Sequence, residues 1–169
     1  MPDPQITILL ALIDQAFDHK SWHGTNLRGA IRGMRAADAT WRLSPERHNI
    51  WEIVIHAAYW KYVVKRRLLS EARGSFPLKG SNWIERPEGG ADEAEWKKDV
   101  ALLNETHRGL REAVAGLSAG DLEYKPAGSK VRNLELITGI ASHDLYHAGQ
   151  IQLLKRELKG GSNQGSEME

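Results

Sequence analysis

Ala141-Ser142-His143-Asp144-Leu145-Tyr146-His147-Ala148-Gly149-Gln150 sets two histidines four residues apart in an apolar surround. On an α-helix that spacing leaves about 40° of rotation and about 6 Å of rise, so both rings can turn toward one ion. A third nitrogen must then come from elsewhere. His56 is best placed, in Asn49-Ile50-Trp51-Glu52-Ile53-Val54-Ile55-His56-Ala57-Ala58-Tyr59-Trp60, a second apolar stretch with helical pattern. The expectation is a site of three imidazoles, His56, His143 and His147, inside an all-α protein.

Outward from the histidine pair, the last helix reads from about Val131 to Leu158, with Leu134, Ile137, Ala141, Leu145, Ala148 and Ile151 on one face. His143 and His147 sit at the margin of that face, beside Leu136, Ile140 and Leu154, which suits a cleft. Gln150 lies on the same side and is placed to reach the ion or its bound water. Asp144 projects to the core side, where it would buttress a helix or turn. Lys159 to Glu169 is polar and contains glycine, so residues 1–158 are read as a single domain and 159–169 as a disordered tail.

The helix of His56 opens at Asn49, with Glu52 three residues on as a capping box, and is expected to run to about Glu71. Gly74 to Gly90 holds Phe76-Pro77, Arg86-Pro87 and Gly89-Gly90 and reads as a long irregular connection. Loops of that length in a compact domain are functional or cross between distant helices. Phe76 and Trp83 imply that it packs down, with Trp83 as a candidate pocket wall. A further helix is expected from a capping box of Asp92 and Glu95 through Trp96, Val100, Leu103, His107, Leu110 and Val114, and a turn region over Gly116 to Gly128.

At the other end, Pro4 suits a first helical turn, and Ile6, Leu9, Leu10, Ile13 and Phe17 follow at helical intervals to about His19. Ser21-Trp22-His23-Gly24-Thr25 is a break or a kink, with Thr25 as a candidate cap. A short helical turn is expected between Met34 and His48, ended by Ser44-Pro45.

The chain has 169 residues, 41% of them hydrophobic, and six tryptophans, enough for one sizeable core. Lys and Arg number 23 against 22 Asp and Glu, so no large field favours nucleic acid or an anionic membrane, and neither is expected as a partner. With no cysteine, disulfides and thiolate ligands are excluded, and any metal must use nitrogen and oxygen donors. Met1-Pro2-Asp3-Pro4 lacks a basic leader and no apolar run approaches a membrane span, so a cytoplasmic location is expected.

A His-x-x-x-His pair is also compatible with hydrogen-bonded histidines packed in a core, without an ion. The zincin reading loses its general base, because Asp144 rather than glutamate follows His143. Two lesser candidates remain: His23 as a proton carrier or occasional ligand at a cleft mouth, and Glu52 as a group orienting His56.

Trp22-His23-Gly24, the Arg47-His48-Asn49-Ile50-Trp51-Glu52 entry with His56 following, the long middle connection and His143-Asp144-Leu145-Tyr146-His147-Ala148-Gly149-Gln150-Ile151 resemble the DinB/YfiT-like superfamily of metal-binding four-helix bundles. The resemblance covers nearly the whole chain. It implies an up-down-down-up bundle with a long crossover between the second and third bundle helices, here Gly74 to Gly90. It also implies homodimers and a divalent ion held by His56, His143 and His147. Three neutral imidazoles leave coordination positions open, and zinc and nickel both accept them.

The resemblance therefore points to a metal-dependent enzyme, a thiol transferase, thiol-dependent isomerase or hydrolase acting on a small-molecule substrate or thiol cosubstrate. The alternative is a non-catalytic metal-containing ligand-binding or stress-response module.

Overall fold

Asn49 Oδ1 accepts the Glu52 N–H at 2.8 Å and the Glu52 carboxylate accepts the Asn49 N–H at 3.3 Å, a closed capping box that starts the helix of His56. The computed structural model describes residues 3–86 and 92–164. Among them the regular structure is entirely helical: α1 (Pro4–Phe17), α2 (Leu27–Ala30), α3 (Ala36–Ala39), α4 (Ile50–Leu68), α5 (Glu93–Ala115) and α6 (Asn133–Gln164), with a 3₁₀ turn over Ala119–Glu123. Among the described residues no helix is long and apolar enough to cross a membrane. α4 packs on α5 and α6, and α1 packs on the same two helices.

Several helix ends differ from expectation, each for a local reason. α4 stops at Leu68 rather than near Glu71 because Ser70 takes φ +55°, with Ser70 N–H on Arg67 O and Glu71 N–H on Arg66 O, a Schellman closure. Gly24 has φ +101°, which breaks rather than kinks the chain after α1. The cap that follows is Asn26, not Thr25: Asn26 Oδ1 accepts the Gly29 N–H, and its amide donates to His19 O at 2.8 Å. Asp92 accepts the Ala94 N–H at the start of α5, whereas Glu95 lies 3.7 Å from Arg86 and closes no box.

The end of α6 also corrects the reading. The helix continues past Leu158, through Lys159 and Gly160, to Gln164. Glycine weakens a helix by only about 1 kcal/mol per residue, too little to stop one already propagating. Residues 165–169 of the expected tail, and 87–91 of the connection, lie outside the described residues.

The connection from α4 to α5 is pinned to the core. Ile84 is buried, Trp83 and Phe76 pack against buried residues, and the Arg86 guanidinium pairs with Asp99 on α5. Asp99 also accepts the Trp51 indole N–H at 2.7 Å, so one buried carboxylate ties α4, α5 and the connection together.

The interior carries a charged pair. Lys61 on α4 and Asp144 on α6 are each 1% exposed and bonded to one another. Lys61 Nζ also lies 3.4 Å from His107 Nδ1 and over the Phe17 ring, on which His107 stacks. Beyond His107, Asp14 on α1 pairs with Arg111 on α5 at 2.9 Å. This polar seam touches all four long helices. An unpaired buried charge is costly, so the seam favours one register of α4 against α6. That register matters because Lys61 lies five residues after His56, and Asp144 directly follows His143.

Candidate metal centre

The register fixed by Lys61 and Asp144 brings His56 on α4 to face His143 and His147 on α6. His56 Nε2 lies 3.1 Å from His143 Nε2, and His147 Nε2 lies 3.1 Å from the same atom. One ligand atom from each of the three residues falls within 4.8 Å of the others. For comparison, two nitrogens each about 2.0–2.1 Å from a tetrahedral ion lie about 3.4 Å apart. The nitrogens are therefore spaced as a ligand set.

The outer nitrogens decide which way the lone pairs point. His56 Nδ1 donates to Asn82 O at 3.1 Å. His147 Nδ1 donates to Gln150 Oε1 at 2.7 Å, with the Gln150 amide in turn donating to the Tyr146 hydroxyl at 3.1 Å. In a neutral imidazole the proton on Nδ1 leaves Nε2 as an acceptor, so His56 and His147 both aim a lone pair inward. His143 Nδ1 is buried with no hydrogen-bond partner among the described residues, so only its neighbours in the cluster set its tautomer.

Neutral rings are what burial enforces. It lowers the His56 pKa to about 4, against the opposing bond to Asn82. His143 is lowered to about 3, by burial first and then by the neighbouring His147 and His56, and His147 is also lowered, chiefly by burial. Inward lone pairs on uncharged rings repel one another and attract a cation. The donor set thus fits a divalent ion held by three imidazoles, the arrangement that leaves positions open.

Aromatic rings wall the cluster. Trp83 stacks flat on His56 at 3.8 Å between centroids and on His48 at 3.6 Å, a sandwich that holds the His56 ring in plane. Trp60 sits edge-on to His56, and its indole N–H donates to Asn82 Oδ1 at 2.9 Å. Asn82 therefore fixes His56 through its backbone and Trp60 through its side chain. It does so at φ +61°, a left-handed conformation that asparagine tolerates better than most residues.

The other candidates fall elsewhere. Gln150 meets His147 on the nitrogen facing away from the cluster, so it orients a ring. Glu52 is one turn before His56, yet its carboxylate is taken by Arg42 at 2.6 and 3.0 Å, His48 at 3.1 Å and the Asn49 N–H. Its distance from the cluster follows from those bonds. His23 is exposed in the turn after α1, with Ser21 Oγ 3.4 Å from its ring, and is not brought to the three histidines. Asp144 does the buttressing expected of it, but through Lys61, a partner the sequence reading did not name. Asn82 was also missed, because its contact to His56 crosses 26 residues and is made by a backbone atom that any residue carries.

No curated protein and no solved structure gives a match to the chain. The sequence profile of the DinB superfamily matches residues 21–151, a span containing His56, His143, His147 and the connection that covers them. That match extends over more than half of the chain, and the chain belongs to the DinB superfamily.

Proposed function

We propose that the protein binds one divalent metal ion, zinc or nickel, through His56, His143 and His147, and that it is a metal-dependent enzyme of the thiol-transferase, thiol-isomerase or hydrolase type. The observation that carries the binding is the inward direction of the lone pairs, held by Asn82 O behind His56 and Gln150 Oε1 behind His147. An ion held by three neutral imidazoles supplies Lewis acidity and open positions for a thiol, a carbonyl or water.

The chain's own contribution is orientation and exclusion. Asn82 and Gln150 keep protons off the inward nitrogens of His56 and His147, and burial keeps all three rings neutral near pH 7. Trp83 covers the face of His56 and Trp60 stands beside His56 and His143, excluding water from that side. In this proposal the four long helices form the up-down-down-up bundle implied by the resemblance. The pairing of α4 with α5 and of α1 with α6, and the long connection from residue 69 to 92, support that order. The proposal includes a homodimer on the same resemblance and, separately, a cytoplasmic location, and treats residues 1–158 as one domain.

Elemental analysis of protein prepared without an affinity tag tests the binding. A panel of thiol-conjugation and amide-hydrolysis substrates, assayed before and after metal removal and restoration, tests turnover. Binding with turnover restored by one metal supports the enzyme. Binding with no turnover across the panel favours the ligand-binding module, and metal-free protein after supplementation overturns both.

A further inference from the structure

Beside the histidine cluster, the outer face of α4 and the connection that follows it enclose a cleft of about 850 Å³. Trp60 and Asn82 stand in its wall, and these two residues also hold His56. The floor is aromatic: Tyr59 and Tyr62 meet Phe76 at 5.3 and 5.4 Å between centroids. The Tyr62 hydroxyl accepts the Gly74 and Ser75 N–H groups at 3.2 Å, which fixes the start of the connection against α4.

Four cations line this cleft, Arg66 and Arg67 from α4 and Arg73 and Lys79 from the connection, and among the described residues no carboxylate does. The chain as a whole balances 23 basic residues with 22 acidic ones, so the local excess is a departure from its composition. Arg66 and Arg67 have a structural reason, since basic residues in a last helical turn offset the negative helix end. Arg73 and Lys79 lie on the connection, outside any helix, so that reason does not extend to them.

Several arginines outside the cleft are neutralised by acidic partners. Arg42, Arg86, Arg111 and Arg132 each meet a carboxylate. Arg67, Arg73 and Lys79 make no ion pair or side-chain hydrogen bond among the described residues, and Arg66 donates only to the Glu71 carbonyl. Cations converging on a concave aromatic wall attract an anion with a flat apolar body, by charge at one end and stacking at the other.

We propose that this cleft is a binding site for a small organic anion, a carboxylate or phosphate carried on an aromatic or flat apolar body. The site is formed by protein groups alone and does not depend on the metal reading. Its occupant lies against Trp60, so binding is felt at Asn82 and through it at His56.

Isothermal titration with phenyl phosphate, benzoate, inorganic phosphate and phenol tests the proposal, at low salt and with the full chain in metal-free and zinc-supplemented form. The Trp60 indole N–H resonance reports the place of binding. Phenyl phosphate, benzoate or both bind saturably at one site per chain and shift that resonance, identifying the favoured anion. Inorganic phosphate and phenol bind at least about tenfold more weakly, since each lacks one half of the recognition. Arg73→Ala with Lys79→Ala weakens binding by about tenfold or more, while Lys98→Ala on α5 leaves it unchanged.

Equal binding of phenol, equal binding of inorganic phosphate, or an unchanged affinity in the Arg73→Ala/Lys79→Ala protein overturns the assignment. So does no binding by either ring anion, or tight binding of oligothymidylate with steep salt dependence that displaces the ring anions, which would make the surface a nucleic-acid site.

Discussion

Lys61→Met keeps most of the length and apolar stem of the side chain and removes its charge from a position 1% exposed. The Asp144 carboxylate, equally buried, then loses its partner, and its second oxygen already has no hydrogen-bond partner among the described residues. Breaking a buried ion pair from one side costs about 3–5 kcal/mol, because the charge left behind is uncompensated. For a chain of 169 residues this corresponds to a fall in Tm of roughly 6–20 °C.

Asp144→Ala leaves the ammonium stranded instead and should cost a similar amount. The double variant Lys61→Met/Asp144→Ala buries no unpaired charge and should lose less than either single one, so the singles are strongly non-additive. Urea unfolding of the four proteins, followed by circular dichroism, measures the cycle. Single losses below about 1 kcal/mol, or a double loss equal to the sum of the singles, would refute the claim that this pair holds α4 and α6 in register.

Other outcomes follow from the bonds around the cluster. Burial pushes the Glu52 carboxyl up, but bonds from Arg42 and His48 outweigh it and the net pKa lies below the usual glutamate value. A depressed folded-state pKa stabilises fully above the unfolded value, about 4.3, and the benefit disappears as the pH falls through the folded one. Glu52→Gln should therefore lose about 1–3 kcal/mol at pH 7, and its gap from the native chain should close below about pH 4 in urea unfolding at a series of pH values. Gln150→Ala removes the acceptor behind His147 and should weaken zinc or nickel binding by about 10–100-fold in competition titrations with a chelator, without unfolding the protein. Asn82→Gly keeps the carbonyl on His56 and the φ of +61°, so by thermal melts it should destabilise less than Asn82→Ala, by about 1 kcal/mol.

The cluster was legible where it rests on helical spacing. His143 and His147 repeat at four, and His56 sits within a capped apolar helix, so both could be placed on elements before any contact was known. What lay out of reach was the support: a backbone carbonyl from Asn82, and the Trp83 ring sandwiched between His48 and His56, because a connection has no periodicity to set its direction. Lys61 offered a signal that went unused. It lies at helical spacing from Ala57 and Val64 on the buried side of α4, where a lysine demands a partner, and Asp144 was already assigned to the core side of α6. The four-residue helices α2 and α3 are too short for a hydrophobic period to show, and the glycines of the tail hid the continuation of α6.

Titrating tag-free, metal-stripped protein with zinc and nickel, alongside His56→Ala, His143→Ala and His147→Ala, tests the three-imidazole site most directly. One ion per chain in the native protein, with affinity reduced by at least about a hundredfold in each variant while the helical signal is retained, is the result expected. Absence of binding, or a stoichiometry and affinity unchanged by losing any of the three rings, would contradict it.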